Sequence, residues 1–268
     1  EDTEIPLTIE LPSLVDQDQS EILSNITLFQ IPDHVVLSAG IKNEDNTWTL
    51  TPDQLTSLTL TPGEHIADDF ILTASITATE TENSDSATTT QTISVDIIPV
   101  ADKPTLVVTP GASGNEDTDI QLIISPPSLV DQDQSEILSE ITLFNIPDHV
   151  VLSTGTQNAD GTWSLTSTQL TSLSLTPGQH IADDFTLTVS VTATETENSD
   201  SATTTQTISV DIIPVADIPS WVVSPDTFGK EDTAIPLTIA KPSLVDQDQS
   251  EILSLITVTK IPDHAVYL

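Results

Sequence analysis

The sequence predicts an all-β fold, a series of tandem antiparallel β-sandwich domains that form an extended rod. Three observations lead to this prediction: a motif order that repeats every 115 residues, apolar side chains that alternate with period two, and the lack of a sustained helical stripe. Alternation with period two is typical of strands with one buried and one solvated face. Near-identical copies in tandem are typical of repeat proteins.

The repeat keeps its register along the whole chain. The motif Glu-Asp-Thr begins at Glu1, Glu116 and Glu231, which are 115 residues apart, and no insertion separates the copies. The segment 82–102 recurs unchanged at 197–217. Such identity indicates recent duplication, which suits a spacer whose length matters more than any single copy.

Two proline-bracketed linkers, 99–104 and 214–219, separate the repeats. Proline interrupts strand pairing and stiffens the connection. The linkers predict three domains: 1–102, which lacks its first strand, the complete sandwich 103–217, and 218–268, the N-terminal half of a third repeat. Because half a sandwich cannot close a core, we expect the chain to be a window cut from a longer array.

Within the complete repeat, alternation marks the strands in order. Leu187 and Val189 face one way while the Thr and Ser residues between them face the other. The segment after Leu165 is expected to form a single turn at most, and Trp48 and Trp163 are expected in the core rather than on a ligand-stacking platform. Strands are expected near 105–109, 119–124, 137–145, 149–153, 162–165, 171–175, 184–194 and 203–213. Seven or eight short strands in one repeat are typical of an immunoglobulin-like sandwich.

Composition excludes several classes of partner. The chain has 42 acidic residues against five lysines and no arginine, for a net charge of −37. Nucleic acids and anionic membranes would repel such a chain. Dense carboxylate oxygens favour Ca²⁺ over softer metals. The lack of cysteine excludes disulfides and thiolate sites.

The acidic residues lie at the ends of predicted strands. If strands alternate in direction, each linker collects carboxylates from both neighbouring repeats, and so many charges would repel unless a cation neutralised them. A solvated acidic surface is the alternative. The candidate Ca²⁺ ligands are Glu1, Asp2, Asp68, Asp69, Asp102, Glu116, Asp117, Asp131, Asp133, Asp183, Asp184, Glu195, Glu197, Asp217, Asp246 and Asp248.

The motif order resembles that of a known family. Glu116-Asp117-Thr118, Asp131-x-Asp133, the acidic pair before Phe185 and the linker 214–217 are similar to cadherin-like extender repeats of giant repeats-in-toxin (RTX) adhesins of Gram-negative bacteria. The resemblance covers the whole repeat. It implies Ca²⁺-stiffened rods that project a ligand-binding region from the bacterial cell surface. The linkers depart from the family at Ala101 and Ala216, where Asn is usual, which puts one ligand in doubt.

An enzyme is not expected. The five histidines have no activated Ser or Cys partner motif, and the Pro-Gly-x-His turns at His65 and His180 are expected to be structural. The leading hypothesis is an extracellular extender whose partners are its neighbouring repeats. Two alternatives stay open: a module that itself binds carbohydrate, a receptor or a like chain in biofilm, and Ca²⁺-bridged lateral assembly into a filament or matrix.

Overall fold

The computed structural model describes residues 3–15, 19–130, 135–245, 250–263 and 265. The chain divides into two compact units. Unit 1 comprises Glu1–Thr105, Pro127–Ser139 and Val191–Thr204, and unit 2 comprises Leu106–Pro126, Glu140–Ser190 and Thr205–Leu268. The domain boundaries expected from the repeat stay a prediction.

The first repeat folds as two antiparallel sheets within unit 1. Its strands are β1 (Ile5–Pro6), β2 (Glu21–Leu23), β3 (Ile26–Phe29), β4 (Val36–Leu37), β5 (Ile41–Lys42), β6 (Trp48–Leu50), β7 (Thr59–Thr61), β8 (Phe70–Glu80) and β9 (Ser86–Val95). The small sheet has the order β1-β7-β4. The large sheet has the order β2-β8-β3-β6-β5, with β9 also paired to β8.

One apolar core joins these two sheets. Leu60 of the small sheet and Leu28, Leu50 and Leu72 of the large sheet have no exposed surface and belong to the same buried cluster. Trp48 is also buried in this core, as predicted, whereas Trp163 of the second repeat is only half-buried. Alternating apolar residues therefore meet across two layers, which confirms the predicted all-β sandwich.

The second repeat has the same elements and one additional strand. Its strands are β10 (Gly111–Asn115), β11 (Ile120–Gln121), β12 (Glu136–Leu138), β13 (Ile141–Phe144), β14 (Val151–Leu152), β15 (Thr156–Gln157), β16 (Trp163–Leu165), β17 (Ser174–Thr176), β18 (Phe185–Glu195) and β19 (Ser201–Ile213). In unit 2, β17 pairs with β11 and β14, while β13 pairs with β16 and β18. In unit 1, β12 pairs with the end of β18.

Strand β10 was not predicted, and it makes a parallel pair with β19 instead of the antiparallel pairing expected throughout. Its sequence, Gly-Ala-Ser-Gly-Asn, has no apolar alternation, so period-two analysis cannot detect it. Gly114 is needed there because a Cβ atom would lie 2.7 Å from Cγ1 of Ile120. Main-chain pairing, rather than side-chain burial, defines this strand.

Three further strand predictions need correction. The strand expected at 105–109 is reduced to isolated bridges at Thr105 and Val108. The continuous strand expected at 137–145 is divided into β12 and β13. The strand expected at 171–175 begins as a 3-10 helix, Ser167–Ser172, which is longer than the single turn expected. That helix starts where Gln169 Oε1 accepts the Thr166 N–H at 2.8 Å, a side-chain cap that strand analysis does not detect.

The turn before β16 holds a carboxylate with a lowered pKa. Hydrogen bonds from the Thr162 hydroxyl (2.7 Å) and main-chain N–H (3.0 Å) to Asp160 Oδ1 lower the pKa of Asp160 below its usual value of 3.8. Thr162→Val is expected to raise this pKa towards 3.8, as measured by carboxyl ¹³C NMR titration. Asp45, held in the same way by Thr47, is an internal control whose pKa should not move.

The sign of this effect sets its pH range. Because the folded-state pKa of Asp160 is depressed, its hydrogen bonds contribute stability above pH 3.8 that is lost as the pH falls through the folded-state pKa. An unchanged Asp160 pKa in the valine variant would contradict the assignment to Thr162.

Candidate cation sites beside the linkers

Two buried glutamates face each other in unit 1. The antiparallel register of β12 and β18 places Glu136 directly opposite Glu195. The two residues are only 4% and 1% exposed. Like charges at directly opposite cross-strand positions repel, and a buried carboxylate is costly unless it is paired and hydrogen-bonded. Two facing carboxylates in this position therefore favour compensation by hydrogen-bond donors or by a cation.

Each glutamate of this pair accepts a hydrogen bond through its Oε1 atom. Glu136 Oε1 accepts the main-chain N–H of Asp102 at 2.8 Å, and Glu195 Oε1 accepts the Ser135 hydroxyl at 3.2 Å. Oε2 of Glu195 is buried and has no hydrogen-bond partner among the described residues. A carboxylate oxygen in this position is an available ligand for a hard cation.

The same end of unit 1 holds the linker 99–104. Asn198 Nδ2 donates to the Pro99 carbonyl at 2.7 Å, and Thr204 Oγ1 donates to the Pro104 carbonyl at 2.7 Å. The Ala101 N–H donates to Asp200 Oδ2 at 3.1 Å. The linker is thus fixed against the loop and strand that follow Glu195, and Asp102 is held beside the glutamate pair.

His65 contacts the linker as well. Its Nδ1 is hydrogen-bonded to Asp102 Oδ2, and both side chains are about a quarter exposed, at 25% and 27%. His65 lies in a turn with a φ of +57°, as expected for the Pro-Gly-x-His motif. The predicted turn is present, but the imidazole ring also contacts a predicted Ca²⁺ ligand, which the sequence analysis did not anticipate.

Unit 2 repeats this arrangement 115 residues later. His180 Nδ1 is hydrogen-bonded to Asp217 Oδ2 and lies 3.6 Å from Asp117 Oδ2. The Asp217 N–H donates to Glu251 Oε1, as the Asp102 N–H does to Glu136. Glu116, only 2% exposed, accepts the Val215 N–H at 2.6 Å. Both linkers are therefore held by main-chain hydrogen bonds to buried or half-buried glutamates.

The other predicted ligands have different surroundings. Asp69 accepts the main-chain N–H of Ile97, two residues after β9, and Asp184 accepts that of Ile212, near the end of β19, each at 2.8 Å. Asp68, Asp183 and Glu197 are exposed. Six predicted ligands lie outside the described residues: Glu1, Asp2, Asp131, Asp133, Asp246 and Asp248. Metal binding by any predicted ligand stays a prediction.

The sequence analysis missed Glu136 and its equivalent Glu251 as candidate ligands. A signal for the buried pair was available, because Glu195 continues the inward-facing phase of Leu187, Val189, Val191 and Ala193. A charged residue in that phase is predicted to be buried. No comparable alternation surrounds Glu136, whose position follows only from the strand register.

Within the described residues, no helix has the length and apolar character required to cross a membrane. No family model matches the chain, and no curated protein matches it.

Several solved structures show limited similarity to this chain. An endo-fucoidan hydrolase of glycoside hydrolase family 107 is 17% identical over 76% of this chain and 26% of its own, with a TM-score of 0.23. The cadherin-like domains 1 to 4 of zebrafish RET are 11% identical over 73% of this chain and 41% of theirs, with a TM-score of 0.22. Drosophila N-cadherin EC1-4 is 11% identical over 86% of this chain and 52% of its own, with a TM-score of 0.27.

The chain thus spans between a quarter and about half of the length of these proteins. The assignment of an all-β sandwich rests on the strand pairing and the shared core described above.

Proposed function

We propose that this chain is a non-enzymatic extender segment of a bacterial cell-surface adhesin, in which Ca²⁺ stiffens the connection between consecutive repeats. The observation that carries the proposal is the buried Glu136–Glu195 pair beside the linker. A divalent cation would neutralise both carboxylates and remove the cost of burying them.

The donors at this place suit Ca²⁺. Carboxylate and carbonyl oxygens are its usual ligands, and it accepts about six to eight of them in flexible geometry. Glu136 and Glu195 would supply the first oxygens, and Asp102 lies next to them through its main-chain hydrogen bond to Glu136. Loop carboxylates predicted from the sequence would complete the shell.

Stiffening follows from where these residues come in the sequence. Asp102 belongs to the linker, whereas Glu136 and Glu195 belong to the second repeat. A cation shared by them would hold the linker in one orientation, so that bending at each linker would be restricted. A series of such segments would project a distal ligand-binding region for adhesion or biofilm formation. The proposed location is therefore extracellular, and the principal partners are neighbouring repeats.

Small-angle X-ray scattering of the full chain tests the stiffening. The maximum dimension and radius of gyration are expected to be larger and the profile more rod-like in about 2 mM Ca²⁺ than in EDTA. Mg²⁺ at the same ionic strength is the control, because it requires a tighter octahedral shell and dehydrates reluctantly. Superimposable profiles in EDTA and Ca²⁺ would contradict the proposal.

A further inference from the structure

A cluster in unit 2 combines oxygen donors with a nitrogen donor. The carboxylate oxygens of Asp117 and Asp217 and an imidazole nitrogen of His180 all lie within 4.8 Å of one another. His180 Nδ1 faces both carboxylates: it is hydrogen-bonded to Asp217 and is 3.6 Å from Asp117 Oδ2. We propose that Asp117, His180 and Asp217, although both aspartates are predicted above as Ca²⁺ ligands, instead bind a borderline transition-metal ion of the Zn²⁺ class.

Donor type is the first argument for this metal class. Imidazole nitrogen suits Zn²⁺, Ni²⁺ and Cu²⁺, whereas Ca²⁺ is bound almost entirely by oxygen. An ion with bonds of about 2.0–2.2 Å needs donors no more than about 4.4 Å apart. The observed spacing within 4.8 Å is therefore close to a ligating one, and small side-chain rotations would complete it.

The main chain around the cluster is organised to hold these three side chains. Asp117 and His180 both have left-handed backbone conformations, with φ values of +58° and +57°. Asp117 Oδ1 accepts the His180 N–H at 3.0 Å, which fixes the two turns against each other and leaves Oδ2 towards the imidazole.

A further carboxylate lies beside the cluster. Glu251 Oε1 accepts the Asp217 N–H, while Oε2 of Glu251 is buried and without a hydrogen-bond partner in the described part of the chain. Three carboxylates against one imidazole leave a net negative environment, which a divalent ion would offset. The unpartnered oxygen of Glu251 is an additional observation that indicates a cation here.

The first repeat contains the same imidazole–carboxylate contact, between His65 and Asp102. Its third position, Asp2, lies outside the described residues. The inference therefore rests on the unit 2 cluster.

Metal titration of the full chain in saturating Ca²⁺ tests the inference. Co²⁺ is the spectroscopic probe, followed by visible absorption, and Zn²⁺ uptake is measured by titration calorimetry. His180→Asn is expected to saturate with one ion fewer than the unsubstituted chain. Asn is chosen because it tolerates the left-handed conformation at this position. Because Ca²⁺ is present throughout, failure of this test would not affect the proposed Ca²⁺ function.

Two aspartate variants form a matched pair. Asp117→Asn keeps the left-handed turn and an oxygen that can accept the His180 N–H, but it removes the charge. It is expected to weaken binding of the probe ion by at least about tenfold, since even outer-shell partners of metal ligands contribute about 10–100-fold. Asp119→Asn removes a charge two residues away, where Asp119 accepts the Thr176 hydroxyl at 2.6 Å. It should leave binding unchanged.

Three results would overturn the proposal. The first is a chain that takes up no Co²⁺ or Zn²⁺ in the presence of Ca²⁺. The second is equal uptake by His180→Asn, which would assign the binding to other groups. The third is equal weakening by the Asp117 and Asp119 variants, which would indicate diffuse electrostatic attraction. Thermal melts of each variant without metal verify that the fold is retained.

Discussion

Adding Ca²⁺ to the chain is expected to raise its melting temperature by roughly 10 °C or more above that in EDTA. The reason is that Ca²⁺ would bind the folded state, in which Glu136 and Glu195 are held opposite each other, and would bind the unfolded chain far less. At free Ca²⁺ about 1,000-fold above Kd, one site adds about 4 kcal/mol to the free energy of unfolding. For a domain of about 150–250 residues, each kcal/mol raises the melting temperature by about 2–4 °C.

The measurement is differential scanning calorimetry of the full chain in EDTA, in Mg²⁺ and in Ca²⁺. Salt is held constant in all three conditions, so that general screening of the −37 charge does not contribute to the difference. A small and equal increase with Mg²⁺ and Ca²⁺ would indicate screening alone. Identical melts in EDTA and Ca²⁺ would mean that the carboxylates form a solvated acidic surface, the alternative left open by the sequence.

Long alternating strands could be predicted from the sequence, whereas short paired segments could not. The strand predicted at 184–194 is β18, and that predicted at 203–213 is β19. Both are long enough for their period-two pattern to stand out. β10 was not predicted because its Gly-rich sequence has no apolar alternation. Its residues suit a parallel main-chain pairing with β19 and the close approach of Ile120. Local sequence does not encode a pairing partner nearly 100 residues away.

The candidate site shows the same division. That acidic residues follow or precede strands could be predicted from the sequence, because their positions relative to the alternating segments suffice for that. Which carboxylates are buried was not predicted, because burial depends on register. Glu195 faces Glu136 only because β12 pairs with this end of β18. Asp69, by contrast, accepts a main-chain N–H, a role that its sequence position does not distinguish from that of a metal ligand.

The histidines illustrate a limit of motif analysis. The Pro-Gly-x-His motif predicts a turn, and both His65 and His180 lie in turns with left-handed backbone. The contact between each ring and a linker aspartate 37 residues later depends on where two loops end in space. A repeated motif can therefore form a turn and also place its side chain against a distant residue. The turn can be predicted from the sequence, whereas the distant contact is found only in the three-dimensional structure.

The buried glutamate pair can be tested by one substitution whose effect should change sign with Ca²⁺. In EDTA, Glu195→Gln is expected to increase the free energy of unfolding by about 1–3 kcal/mol, because the amide removes one of two facing buried charges at nearly constant volume. In Ca²⁺, the same variant is expected to be less stable than the unsubstituted chain, because a charged ligand is lost. Urea unfolding at equilibrium measures both values.

Glu80→Gln is the matched control for this experiment. Glu80 lies in the same local sequence and faces Glu21 in the equivalent register, but both residues are only half-buried. Water can then solvate the two charges, so removing one should change stability little in either condition. The contrast compares a buried glutamate pair with a half-buried one, since residue type, local sequence and strand register are the same at the two positions.

A uniform loss of stability in Glu195→Gln, equal in EDTA and in Ca²⁺, would contradict the cation hypothesis. It would show that the Glu195 carboxylate contributes to stability independently of Ca²⁺. The sign change is the informative result because neither packing nor hydrogen bonding reverses with Ca²⁺. A residue that destabilises the metal-free fold and stabilises the metal-bound fold contributes to stability only through cation binding. The contribution of Glu195 to the free energy of unfolding would then depend on the Ca²⁺ concentration around the protein.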